Sequence, residues 1–295
     1  MLRRALRPCG GTLGGMAAMR DQRSSPQVLG SAFVACRQLS AAPGNVHGGA
    51  ISSDGAVSSI VIDNPTKRNA MTLAMYRAVP PAAAAAAAGG ARVCILRGAG
   101  EDAFGAGSDI TEFKALRSGA AAAAAYSATE DRATAALLGM PLPLLAAIHG
   151  PCMGGGLNLA LAADVRYAAD DAVFAVPPAK LGIGYPPALM ELLLEAVGRS
   201  AALELLFTGR AVRAEEALRI GLVDAVLPKA ELDAHVDGVA ASVSRLAPLT
   251  LRAAKLAAWR RAGAAEACAA CYESRDYAEG IAAFEEKRRP TFEGR

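Results

Sequence analysis

The chain is poor in the groupings that hold metals or disulfide frameworks. Its six cysteines (Cys9, Cys36, Cys94, Cys152, Cys268 and Cys271) are scattered through 295 residues and show no spacing that reads as a framework. Cys268 and Cys271 form a lone C-x-x-C in a helical stretch, without the second pair or the histidines that a zinc site needs. They are expected to be buried small side chains, and no metal is expected. Cys152 has no basic partner in sequence, which argues against a nucleophile. A formal net charge of +3 is too small to imply nucleic acid as a partner. With 53% hydrophobic residues, the chain has ample material for one or two compact domains.

Acid is nearly missing from residues 1–42, where Arg3, Arg4, Arg7, Arg20, Arg23 and Arg37 face only Asp21. The segment has no sustained apolar run, so it is too polar for a secretory signal or a membrane span. It reads as a disordered organelle transit peptide, with the mitochondrial matrix preferred, a plastid as the alternative, and removal near Ser40. A matrix compartment would keep the cysteines reduced.

The most informative stretch runs from Ala146 to Tyr185. An apolar run ends at His149-Gly150, the glycines Gly154, Gly155 and Gly156 follow, and an alanine- and leucine-rich pattern starts at once. That order reads as strand, turn and helix N-terminus. The first N–H groups of a helix lack intrahelical partners and sit at the positive end of its dipole, so a negative oxygen is favoured at Gly155. The turn suits either a phosphate cradle or half of an oxyanion hole. No Lys-Ser or Lys-Thr follows the glycines, and GGGLNL is not the spaced dinucleotide fingerprint. A second small-residue turn, AFGAGSDITEF (Ala103 to Phe113), also follows a strand-like run and precedes a helical one. Its backbone N–H at Ser108 offers a second donor.

The pair FGAGSDI and GPCMGGGLNLALAAD, with NPTKRNAM before it and AFEEKRRPTFEGR at the end, resembles the crotonase (enoyl-CoA hydratase/isomerase) superfamily over about residues 49 to 295. The resemblance implies an α/β fold: a ClpP-like spiral of ββα units over 49–240, followed by a helical region over 241–295 used for trimer contacts. It implies an acyl-CoA substrate whose thioester oxygen lies between the N–H groups of Ser108 and Gly155, with coenzyme A as part of the substrate and no separate cofactor. Contacts to CoA are implied at Lys67, Arg68, Ala106, Ser108 and Ile110. Phe284 and Lys287 are implied on the adenine side, in the same or a neighbouring subunit. The expected assembly is a homotrimer or a dimer of trimers, with neither nucleic acid nor membrane as partner.

Hydratases of this superfamily use two glutamates to activate water and donate a proton. The matching positions here are Asn158 and Pro178. An amide cannot act as a base, and proline has no polar side-chain atom. The resemblance thus implies enolate stabilisation without ordinary hydration. PAKLGIGY and the ending ESRDYAEGIAAFEEKRRPTFEGR are similar to methylmalonyl-CoA decarboxylases, which carry a tyrosine at the position of Tyr185. Those enzymes have histidine where this chain has Ser108, and threonine where it has Pro177. Tyr185 is assigned to the acyl pocket, placing substrate or delivering a proton. Decarboxylation of a malonyl-type thioester is the preferred reaction. A restricted hydratase or isomerase using an acid such as Glu112 or Glu191, and an acyl-CoA-binding protein without turnover, are the alternatives.

The runs VSSIVIDN, VCILRG, PLLAAIHG, VRYAA, AVFAV and LVDAVL read as strands among helical stretches. PPALMELLLEAVG and AALELLFTG read as two helices, the second closing at Gly209. PPAAAAAAAGG (Pro80 to Gly90) reads as a surface helix worn down to alanine, and the resemblance implies that the alanine run from Gly119 to Ala125 falls in a region that varies among family members near the acyl pocket. Among lesser candidates, Asp109 is expected to cap a helix, Glu112 to be solvated, His149 to be a core histidine, and Asp164 to serve packing or turn chemistry.

Overall fold

The computed structural model describes residues 44–50, 52 and 55–295; the transit-peptide reading of residues 1–42 lies outside them. Two sheets carry the fold. In the larger, β1 (Asn45–Ala50) runs antiparallel to β2 (Val57–Asp63). Then β3 (Val93–Gly98), β4 (Leu144–Ile148), β6 (Val165–Ala169) and β9 (Ala225–Leu227) follow in parallel. The smaller sheet joins β5 (Pro151–Met153), β7 (Val173–Ala175) and β8 (Val212–Arg213).

Why β2, β3 and β4 read as unbroken apolar runs follows from their surroundings. Side chains alternate across a strand, and both faces of the larger sheet are covered. Cys94 and Leu96 join the main core on one face, while Val93 and Ile95 pack on the other with Leu232, Val236 and Ala240 of α7 (Lys229–Val243). A parallel sheet buried on both faces shows this continuous pattern rather than alternation.

The ββα repeat is visible in the chain order. β4 lies in the larger sheet, β5 in the smaller, and α4 (Gly155–Leu161) follows. β6 and β7 repeat the step before α5 (Pro187–Thr208). Helix α5 is two helical pieces, because Gly198 (φ 73°, ψ 167°) leaves helical geometry between them, and it ends at the left-handed Gly209. α6 (Ala214–Arg219) then leads to β9.

α1 (Leu73–Ala87) corrects one expectation. Its alanines are surface only in part: Ala84 and Ala85 are exposed, but Ala82, Ala83 and Ala86 are buried in the core. A Cβ added at Gly48 of β1 would overlap the Ala82 carbonyl, so helix and strand meet backbone to backbone, which only glycine and small residues allow. α2 (Phe113–Leu116) and α3 (Ala120–Leu138) link β3 to β4.

The last helices are α8 (Pro248–Ala258), α9 (Ala264–Tyr272) and α10 (Arg275–Glu285). The expectation that Cys268 and Cys271 are buried is overturned. Cys268 is exposed and Cys271 half-buried, because α9 buries no residue of its own among the described chain. Cys152 does lie in the core, where burial pushes its thiol up and keeps it inert. Asp164 fastens the C-terminal region to the sheet. It accepts from the Leu144 amide (2.7 Å) and the Trp259 indole (2.7 Å), and pairs with Lys255 (2.9 Å), whose ammonium also donates to the Leu142 carbonyl (2.8 Å).

Removing one partner of a buried ion pair leaves the other charge uncompensated, at a cost of roughly 3–5 kcal/mol. Asp164→Ala is therefore expected to lower unfolding stability by about that amount in denaturant titrations. A loss under about 1 kcal/mol, the range of a surface pair, would show that Asp164 is not the tie described.

Candidate active site

The site begins in the loop after β2. Asn69 accepts from the Asn64 amide (2.9 Å) and donates to the carbonyls of Ala103 (2.7 Å) and Ala99 (3.1 Å). The loop then pairs with the segment that follows β3. Ala106 N donates to Arg68 O (2.9 Å), Met71 N to Gly107 O (2.8 Å) and Asp109 N to Met71 O (2.7 Å). Extended backbone alternates its hydrogen-bonding direction, so Gly107 and Asp109 face Met71 and the Ser108 N–H faces the other way.

On that other side lies the turn after β4. Phe104 N donates to His149 O (2.7 Å), Gly105 N to Pro151 O (3.0 Å) and Met153 N to Gly105 O (2.8 Å), a parallel bridge of Gly105 with Cys152. Three residues on from each bridge member come Ser108 and Gly155. Among the described residues, neither N–H is given a protein acceptor. Gly155 is the first residue of α4, so its donor is one of the orphans of a helix start. A Cβ at Gly155 would overlap the Tyr76 hydroxyl and stand 3.0 Å from Ser108 Oγ.

Ser108, Gly155, Asn158, Tyr185, Ala106 and Ile110 line one cavity, closed mainly by Phe113, Val176, Pro177, Pro178, Leu181 and Leu189. Its polar walls differ. On one, the Tyr185 hydroxyl donates to Asn158 Oδ1 (2.8 Å), and burial pushes the phenol well above its ordinary pKa, so it stays protonated.

Elsewhere the lining holds groups that sequence reasoning missed. Ser108 Oγ donates to Glu130 Oε1 (2.9 Å) and lies 2.9 Å from the Tyr76 hydroxyl. Glu130 Oε2 is 3.4 Å from Arg117 Nη2, and the guanidinium lies over the rings of Phe113 (5.1 Å) and Tyr126 (4.7 Å). Burial raises the Glu130 carboxyl above its usual range, the Arg117 charge and the Ser108 hydrogen bond opposing. One signal was available. Tyr126, Glu130, Ala133 and Leu137 fall at helical spacing on the buried stripe of α3, and an acid on such a stripe needs a reason.

The other expected residues lie apart from this cavity. Lys67 pairs with Asp109 Oδ2 (2.7 Å), and its hydrogen bond holds the Asp109 carboxyl below the usual range. Asp109 also caps the next turn by accepting from Thr111 N (3.0 Å). Arg68 is exposed in a left-handed conformation (φ 51°). Phe284 is 83% exposed, and Lys287 is exposed beyond the end of α10. Neither alternative acid reaches the cavity. Glu112 accepts from the Leu73 amide (2.8 Å), which corrects its expected solvation, and Glu191 is exposed on α5. His149 is buried, its Nε2 3.2 Å from Asp233.

The model of the enoyl-CoA hydratase/isomerase family matches residues 52–295. The chain belongs to the enoyl-CoA hydratase/isomerase family. It is 35% identical over 246 residues to the putative enoyl-CoA hydratase/isomerase YngF of Bacillus subtilis, covering 80% of this chain and 94% of that one. It is 31% identical to the probable enoyl-CoA hydratase 2, mitochondrial, of Arabidopsis thaliana, covering 82% and 83%. The crystal structure of an enoyl-CoA hydratase/carnithine racemase from Magnetospirillum magneticum superposes with a TM-score of 0.78 at 35% identity, covering 81% and 93%. Membership in the enoyl-CoA hydratase/isomerase family places the chain among enzymes that act on acyl-CoA thioesters.

Gly155→Ala pushes a methyl group into the Tyr76 hydroxyl and turns the N–H away from its aim. On the expectation from the resemblance that this N–H holds a thioester oxygen, an isotope-edited infrared spectrum of a bound acyl-CoA should lose the downward shift of its thioester carbonyl stretch, and any turnover should fall by about 10²–10³, the scale of one oxyanion donor. An unchanged carbonyl shift would remove Gly155 N–H from the site.

Proposed function

We propose that the cavity binds an acyl-CoA with its thioester oxygen between the N–H groups of Ser108 and Gly155, and that its reaction is decarboxylation of a malonyl-type thioester. The observation that carries this reading is the wall formed by Asn158, Tyr185, Pro177 and Pro178, where no side chain can activate water. Enolate formation by loss of CO2 needs no base. The C–C bond to the carboxylate breaks, its electron pair enters the enolate, and the two donors hold the oxygen. The apolar lining of Phe113, Val176 and Leu189 supports the desolvation that favours CO2 loss. Tyr185 places the acyl group or delivers a proton. Coenzyme A is part of the substrate, contacted at Lys67 and Arg68, with Phe284 and Lys287 reaching its adenine side in a homotrimer or a dimer of trimers.

The mitochondrial matrix is the proposed location, supported by the arginine-rich residues 1–42 and by the plant relative named mitochondrial. No helix of the described residues is long and apolar enough to cross a membrane.

One observation favours a second reading. Glu130 is a carboxyl group in the cavity wall, and proton transfer on an enoyl thioester, as in isomerisation, requires such a group.

The full chain incubated with malonyl-, methylmalonyl-, ethylmalonyl- and crotonyl-CoA separates the two by mass spectrometry, CO2 loss being read directly and isomerisation, which leaves the mass unchanged, as deuterium uptake by crotonyl-CoA in D2O. Loss of CO2 from a malonyl-type ester is expected, and Tyr185→Phe should slow it with CoA-ester affinity intact. Rapid gain of water on crotonyl-CoA would overturn the argument from Asn158 and Pro178. Asn158→Glu with Pro178→Glu should raise hydration above the parent; no gain would mean that the pocket, rather than the missing acids, excludes water.

A further inference from the structure

Four observations meet at one wall of the cavity, and the oxyanion argument uses none of them. Glu130 is only 7% exposed and lines the cavity. Its Oε1 receives the Ser108 hydroxyl at 2.9 Å. That hydroxyl belongs to the residue whose N–H faces the thioester oxygen, and it stands 3.0 Å from the Cβ position of Gly155, the other donor. The Tyr76 hydroxyl is fully buried and lies 2.9 Å from Ser108 Oγ.

We infer that Glu130 is the acid–base group of this site, exchanging a proton with the α-carbon of the bound thioester through the Ser108 hydroxyl. This rests on the thioester-binding reading but not on decarboxylation. In the abstracting direction Ser108 Oγ takes the α-proton while giving its own to the Glu130 carboxylate, and the C–H electron pair moves into the enolate. In the donating direction the Glu130 carboxylic acid passes a proton to Ser108 Oγ as the serine proton goes to the α-carbon, leaving a carboxylate that solvent reprotonates. Tyr76 holds Ser108 Oγ in line from the far side. Tyr185, whose hydroxyl is committed to Asn158, is left to place the acyl group.

The charged and titratable groups facing Glu130 are Arg117 beyond α2, Tyr76 on α1, and Tyr126 and Asp131 on α3. Burial outweighs the Arg117 charge and raises the carboxyl, which brings its titration nearer to neutral pH, where an acid–base group works best. The sign follows. Abstraction needs the ionised form, so α-proton exchange rises as pH climbs through the raised pKa.

The test is deuterium incorporation at the α-carbon of butyryl-CoA in D2O, read by mass spectrometry on the full chain, beside butyryl-CoA affinity. The wild type should exchange, and Glu130→Gln should slow exchange by 10²-fold or more, the scale of general acid–base catalysis. Butyryl-CoA affinity should hold at a temperature where the variant is folded, although loss of the charge facing Arg117 lowers thermal stability; Glu130→Asp should restore part of the rate, and the rising pH limb should vanish in Glu130→Gln. Ser108→Ala keeps the backbone donor and should slow exchange as well. Exchange by Glu130→Gln at the wild-type rate, or a limb that persists in it, overturns the inference, as does a wild type that binds butyryl-CoA without exchange. Glu130-dependent exchange without CO2 loss from any malonyl-type ester would instead overturn decarboxylation and leave Glu130 in place. No binding of any CoA ester would overturn both.

Discussion

The site depends on one pairing of backbone with backbone. Residues 103–108 and 149–155 run parallel, joined at Phe104, Gly105 and Met153, and the pairing stops just short of Ser108 and Gly155. Both residues are half-buried and line the cavity, so their N–H groups are left open to it while the rest of the fold fixes the two segments. Asn69 and Met71 brace one segment from the β2 side. Gly154 N, bonded to Ala175 O (2.9 Å), braces the other from the smaller sheet.

The side chains around this frame divide by their relation to protons. The Asn158–Tyr185 wall is polar but does not ionise near neutral pH, since the amide has no acid form and burial holds the phenol protonated. Another part of the lining holds a carboxyl and a guanidinium 3.4 Å apart, with the carboxyl raised because desolvation exceeds what Arg117 returns. A buried carboxyl beside a cation more often marks a structural ion pair. What distinguishes Glu130 is that its second oxygen accepts from the hydroxyl of Ser108, whose N–H is one of the two donors proposed to hold the thioester oxygen.

The frame was largely legible in the sequence because it rests on residue types with few substitutes. Glycines at 107 and 154–156, the Asn64-Pro65 turn and the six strand-like runs each reflect a local constraint of backbone geometry or period. Three strands escaped, because β1 is fixed by its pairing with β2 rather than by pattern and β5 and β8 have only three and two residues. The alanines of α1 misled for a related reason. A run without bulky side chains reads as having nothing to pack, whereas the Ala82 carbonyl meets Gly48 of β1 so closely that any side chain at position 48 is forbidden. Glu130 escaped because its neighbours in space, Tyr76, Ser108 and Arg117, come from three separate elements. The exposure of Cys268 depends on the packing of α9, which no local pattern encodes.

An oxyanion hole made of main-chain donors does not depend on the side chains beside it. Its two N–H groups survive any substitution that keeps the turns, so the acid–base groups nearby can change place without loss of the hole. Here the helix that opens at Gly155 presents Asn158, and the carboxyl of the same cavity stands on α3 instead. On the reading proposed above, a proton from α3 travels by way of the Ser108 hydroxyl, whereas an acid at position 158 or 178 would act from beside Tyr185.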